Sequence, residues 1–145
     1  MNGSTAQLPT SPVRIGNTTV LPVTAVRDLG AYLNADVSMA AHVTATVRTC
    51  FAALRQIRSV RRSLSREALL TMIRALVVSK LDYCNSVLVG VTKTQQHRLQ
   101  SVFNAAARLV FSGRRSEHIT PLLLDLHWLK VPEWIQFCLC ALTYR

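Results

Sequence analysis

The chain has 145 residues, half of them hydrophobic, and carries 17 Lys and Arg against 7 Asp and Glu, a formal net charge of +10. Its mean hydropathy is +0.24, so a greasy interior and a strong basic surplus share a length that suits one domain. That apolar content excludes a chain disordered through most of its length. No stretch reads as a membrane span: Leu69 to Val91 is interrupted by Arg74, Lys80 and Asp82, and Trp134 to Tyr144 is too short to cross a bilayer. The opening MNGSTAQLPTSP lacks the basic start and apolar run of a secretory signal. Cys50, Cys84, Cys138 and Cys140 form no C-x-x-C pair and no small disulfide framework, which suits a reduced intracellular compartment.

In chain order, residues 1–12 are rich in Ser, Thr and Pro and are expected to be a disordered lead-in. Residues 13–36 are expected to be β: Val13-Arg14-Ile15 and Thr18 to Leu21 flank Gly16-Asn17, a pair suited to a tight hairpin turn. Val26 to Leu33 reads as a third short strand with Gly30 inside it, and three such strands bury little unless they lean on another body. From residue 37 the pattern is helical. At about 100° per residue, Val43, Val47, Cys50, Phe51, Leu54 and Ile57 fall within an arc of about 120°, which predicts a helix from an N-cap at Ser38 to about Arg62. The opposite side, Ala41, Ala45, Thr49 and Ala52, is small rather than charged and suits close approach by a second partner.

Ser65 is the expected N-cap of the next helix, with Glu67 in its first turn where the helix dipole favours a carboxylate. Its stripe is Leu69, Leu70, Ile73, Leu76, Val77, Leu81, Cys84 and Leu88, and Gly90 is expected to end it. A third helix spans about Thr94 to Phe111, with Leu99, Val102, Phe103, Ala106 and Val110 inward and Gly113 after the last turn. Ile119 to Trp128 predicts a shorter helix, and Pro132-Glu133 opens a last one running to Arg145. A helix that stops uncapped on Tyr144-Arg145 is expected of a fragment of something longer. The expected fold is mainly α, a bundle of about five helices over residues 37–145 preceded by a short β-hairpin and strand.

The charge is concentrated. Between Arg48 and Arg115 there are 13 basic residues and 2 acidic ones, a surplus of eleven, while the rest of the chain sums to −1. Arg55, Arg58, Arg61, Arg62 and Arg66 crowd the turn between the first two helices, and Arg48, Arg55 and Arg62 repeat every seven residues on one side of the first. A run of charge is often a solvated face, but such faces usually mix signs with i, i+4 partners, and here only Glu67 and Asp82 are on offer. Arginine outnumbers lysine 14 to 3, and its planar fork meets phosphate in a bidentate manner. The expectation is contact between nucleic-acid backbone and Arg48, Arg55, Arg58, Arg61, Arg62 and Arg66, with steep salt dependence. An anionic membrane surface is the competitor, disfavoured by an aromatic content of 6%. Lys80, about 20° from Ile73 in the apolar arc, is expected to snorkel outward.

Catalytic constellations are missing: no G-x-S-x-G, phosphate-cradling loop, H-E-x-x-H or EF-hand loop occurs. Cys138 and Cys140 lie about 200° apart on the last helix, so with His118 and His127 they make no familiar zinc spacing and read as core thiols, as do Cys50 and Cys84. No two of the seven carboxylates are adjacent, whereas two-metal nucleotidyl transfer needs them clustered. Asp28 and Asp36 suit turn and helix-entry roles, and His42 is expected to be structural or exposed. No catalytic residue, metal ligand or cofactor is assigned.

The segment Val26-Arg27-Asp28-Leu29-Gly30-Ala31-Tyr32-Leu33-Asn34-Ala35-Asp36-Val37-Ser38-Met39, followed by His42, resembles the region just downstream of the catalytic palm in reverse transcriptases of non-LTR, LINE-like retrotransposons. The likeness continues at Cys50 to Arg58, Ser79 to Asn85, Leu99 to Leu109, Leu126 to Pro132 and Leu142 to Arg145, in one order over about residues 13–145. What the resemblance implies is a piece of an RNA-directed DNA polymerase. Residues 13–36 would lie at the palm–thumb junction, Leu29-Gly30 would match the motif near the primer grip, and residues 37–145 would be thumb and the region beyond. The family's Tyr-x-Asp-Asp signature is missing, and Tyr83-Cys84-Asn85 is no substitute. The implied partners are an RNA–DNA or DNA duplex, held by its phosphates without sequence reading, and the missing palm against the small face of the first helix. The rival expectation is a helical protein-interaction module with no nucleic-acid role.

Overall fold

The computed structural model describes residues 10–29, 31–34, 39–83, 88 and 90–144. Its architecture is mainly α: five helical rods preceded by short antiparallel β structure. Strands β1 (Val13–Ile15) and β2 (Thr18–Val20) pair with Ile15 opposite Thr18, so Gly16-Asn17 is the two-residue turn that the sequence predicts. Gly16 takes φ +62°, a conformation open to residues without a Cβ. The stretch read as one strand from Val26 to Leu33 instead folds back on itself. β3 (Ala25–Asp28) pairs with β4 (Ala31–Asn34), placing Leu29 and Gly30 between the paired Asp28 and Ala31. β1 and β2 are exposed throughout, whereas β4 packs on the first helix and buries Ala31.

Helix α1 (Ala40–Val60) buries Val43, Val47, Cys50, Leu54 and Ile57 as its periodicity predicts, with Ala53 beside them and Phe51 half-buried. Its N-cap position is Met39, which supplies no side-chain cap; the expected cap, Ser38, lies outside the described residues. A 3-10 turn (Arg61–Ser63) follows, so the expected end near Arg62 falls within it. Helix α2 (Arg66–Ile73) starts as predicted: Ser65 Oγ accepts from the Ala68 amide at 3.2 Å, and Glu67 stands in the first turn.

Beyond Ile73 the helix departs from the predicted stripe. Residues Arg74–Val78 are π-helical before the α-geometry resumes as α3 (Ser79–Asp82). A π-helix turns by only about 80° per residue instead of about 100°, so five residues delay the phase by about 90°. In an uninterrupted α-helix Lys80 would align with Ile73 and Leu81 would sit about 80° away. With the delay, Leu81 aligns and is buried, Lys80 swings out to solvent, and Leu76 is 39% exposed instead of inward. The helix also ends at Asp82, with Tyr83 extended, and does not continue to Gly90. Of the remaining stripe, Leu88 is buried and Cys84 lies outside the described residues.

Helix α4 (Lys93–Phe111) begins with a capping box that the sequence reading passed over: Gln95 N donates to Thr92 Oγ1 and Thr92 N to Gln95 Oε1. Its five predicted inward residues are all buried. α1 and α4 run in the same direction. Near their starts Arg98 donates to Thr44 Oγ1 at 3.0 Å, and near their ends the Arg61 guanidinium donates to Ser112 Oγ. α2 and α3 form the return limb between them and pack on α1.

Helices α5 (Ile119–Asp125) and α6 (Val131–Thr143) close the core with Leu123, Leu126, Val131 and Ile135. α5 is shorter than the predicted Ile119–Trp128 because His127 takes φ +55° and reverses the chain. Phe103 lies edge-on to both Trp128 and Trp134, at 5.7 and 5.3 Å between centroids, and Gln100 Oε1 accepts from Val131 N at 2.8 Å. Those contacts dock the last two helices on α4. Cys50 is the buried thiol expected, but Cys140 is exposed and Cys138 only half-buried, because the apolar face of α6 is mostly uncovered.

Candidate nucleic-acid interface

The 3-10 turn at the end of α1 and the last turns of α4 stand side by side because the two helices are parallel. Between them lies a groove of about 760 Å³. Phe51, Leu54 and Leu109 supply apolar lining, and the charged part of the lining is arginine: Arg55, Arg58, Arg61 and Arg62 from the first limb, Arg108 and Arg115 from the second. Among the described residues no carboxylate lines it. Glu117 stands beside the lining residue Gly113, its Oε2 3.1 Å from where a Cβ added there would lie.

Like charges three or four apart on a helix destabilise it by about 0.2–0.5 kcal/mol per pair. Two features offset this. The C-termini of α1 and α4 both bring their negative dipole ends toward this region, where cations are favoured. Phe51, Leu54 and Leu109 also line the groove beside the arginines, giving their aliphatic stems apolar surface to lie on. Two guanidiniums remain under-partnered: among the described residues, Arg61 Nε and Arg108 Nε are buried without a hydrogen-bond acceptor. A buried donor left unpaired costs about 1–3 kcal/mol.

Arg61 is held by its bond to Ser112 Oγ. Ser112 caps α4 at φ +56°, in the left-handed region that favours glycine. Four of the six expected arginines thus meet in one groove. Arg66 does not line it; its guanidinium stacks 4.6 Å above the Phe111 ring. Arg48 is exposed on α1 about two turns before Arg55 and also stands outside the lining.

Sequence reasoning assigned no role to Arg108 or Arg115. Arg108 follows the buried Ala106-Ala107 pair, one position past the inward stripe, which marks it as a boundary residue; nothing local flags Arg115. Leu29 does not join the groove. It sits on the tip of the second hairpin, 84% exposed at φ +45°, and its carbonyl accepts from the Tyr83 hydroxyl. That tip lies by the first half of α1, whereas the arginines gather at its end. Gly30 lies outside the described residues.

Among the described residues no cluster of three His, Cys, Asp or Glu could hold a metal ion, and no helix is long and apolar enough to cross a membrane. Compared with known protein families, curated proteins and solved structures, the chain matches none.

Proposed function

We propose that this chain is the non-catalytic region downstream of the palm in a non-LTR retrotransposon reverse transcriptase, and that its thumb-like helices hold a template–primer duplex by the phosphate backbone. One observation supports the reading above others: six arginines from the ends of α1 and α4 and the turns that follow them line a single groove that no described carboxylate shares. Backbone holding needs cations and forked donors and no base-reading groups, and this lining has that chemistry. The sequence resemblance supplies the identity of the parent enzyme, and the duplex and the palm are the partners it implies.

Binding to an RNA–DNA hybrid at two salt concentrations tests the proposal. If four or five phosphates are neutralised, log K falls with log[salt] at a slope of about −4, and affinity drops by roughly two to three orders of magnitude between about 50 and about 200 mM. Arg55→Ala with Arg62→Ala should weaken binding equally on all sequences and make the slope shallower by about 2. Salt-independent binding, or none, refutes the backbone clamp. A protein-docking module is the second reading, supported by the exposed Phe137, Leu142 and Tyr144 on and beside α6. It gains if hybrid binding is absent.

A further inference from the structure

A second cavity lies at the other end of α1. It has a volume of about 500 Å³ and is bounded by α1, by Ser79 and Lys80 of α3, by Tyr83, and by Arg27 of β3. Its floor is part of the small face of α1, Ala45 and Thr49, where short side chains leave the room that longer ones would fill. The first residues after the π-helical stretch, Ser79 and Lys80, provide the opposite wall. The phase delay that turns Leu81 into the core turns Lys80 out of it, and Ser79 and Lys80 then border the cavity across from α1.

We propose that this cavity binds a small phosphate-bearing ligand. Two cations, Arg27 and Lys80, stand in its lining, and among the described residues no carboxylate does. His42 lines it as well and is 5% exposed, yet among the described residues its Nδ1 has no hydrogen-bond partner. Buried nitrogens of this kind are nearly always satisfied, and a phosphate oxygen in the cavity satisfies an Nδ1–H donor. Burial lowers the His42 pKa below its ordinary value.

The hydroxyls of Thr49 and Ser79 donate to carbonyls four residues back on their own helices, Ala45 and Ala75. Such back-bonds are weak and exchangeable, so both hydroxyls can turn toward an anion. The cavity exceeds the volume of one phosphate, which leaves space for a substituent such as a nucleoside. This site is separate from the arginine groove, and the proposal does not depend on the duplex-binding reading.

Isothermal titration of the full chain at constant ionic strength tests it, with inorganic phosphate, adenosine 5′-monophosphate and adenosine as probes. Both phosphate compounds are expected to bind saturably and adenosine not at all. Tighter binding of the monophosphate assigns a nucleotide, and equal binding assigns the phosphate group alone. In an Arg55→Gln, Arg62→Gln background, which weakens the arginine groove as a competing anion site, Lys80→Gln, at an exposed position, should weaken both by about tenfold. The ring ¹⁵N resonances of His42 should shift on phosphate addition. The proposal is overturned by absence of saturable binding in the background with the groove weakened, by adenosine binding as well as its monophosphate, or by Lys80→Gln leaving the affinity of that background unchanged.

Discussion

Ser112 carries two burdens that a single substitution separates. It caps α4 at φ +56°, where an L-residue is strained by about 1 kcal/mol or more and glycine is not. It also presents the hydroxyl that receives the Arg61 guanidinium, an exposed contact contributing about 0.5 kcal/mol. Ser112→Gly should therefore raise stability by about 0.5–1 kcal/mol, a Tm increase of roughly 2–4 °C for a domain of this size. The same change frees Arg61, so affinity for an RNA–DNA hybrid should fall by about three- to tenfold. Since no charge is lost, the salt slope should stay as in the wild type, whereas Arg61→Ala should make it shallower by about 0.9. Differential scanning calorimetry and fluorescence anisotropy over a salt series give both readouts. Unchanged affinity would refute the role of Ser112 in aiming Arg61, and a lower Tm would refute the strain account.

Three further outcomes are expected. Phe103→Ala should cost about 3–5 kcal/mol and collapse the near-ultraviolet dichroism of Trp128 and Trp134, since one ring holds both edge-on; a retained signal would mean that α5 and α6 dock without it. Leu29→Asn should stabilise the second hairpin by about 1 kcal/mol in urea unfolding, because asparagine tolerates the φ of +45° found there; equal midpoints would refute strain at the tip. Burial pushes the Cys50 thiol up from 9.0 to about 11, with Lys80 pulling slightly the other way. Its contribution to stability is present below about pH 9 and lost as pH rises toward 11, while that of His42, held neutral by burial, is present above its ordinary 6.5 and lost as pH falls below it. Unfolding midpoints across pH should fall on both sides, and Cys140 should be alkylated before Cys50; early labelling of Cys50 would contradict its burial.

The core of α1 and α4 was legible in the sequence because both helices keep one period throughout, so every apolar residue predicted inward on α4 is buried. Past Ile73 the same arithmetic failed, since it assumed a constant rotation per residue and Arg74–Val78 departs from it. The short run from Val26 to Leu33 reads alike whether a strand continues or folds back, and the leucine in the turn gave no warning. The arginine excess was plain, but a seven-residue repeat names a face of a helix and says nothing of where along it a second wall stands. Arg48 shares the face and misses the groove, whereas Arg108 and Arg115 reach it only through the parallel pairing of two helices distant in sequence.

The π-helical stretch makes the second rod behave as a phase shifter. Everything before it keys to the core through Leu69 and Ile73, and everything after it keys through Leu81. Loss of one residue between Arg74 and Val78 would let the rod relax into an even spiral and rotate its last turn. Insertions and deletions within those five positions are therefore more consequential than most substitutions there, because each one resets which side chains the end of the rod shows to the core and which to the cavity.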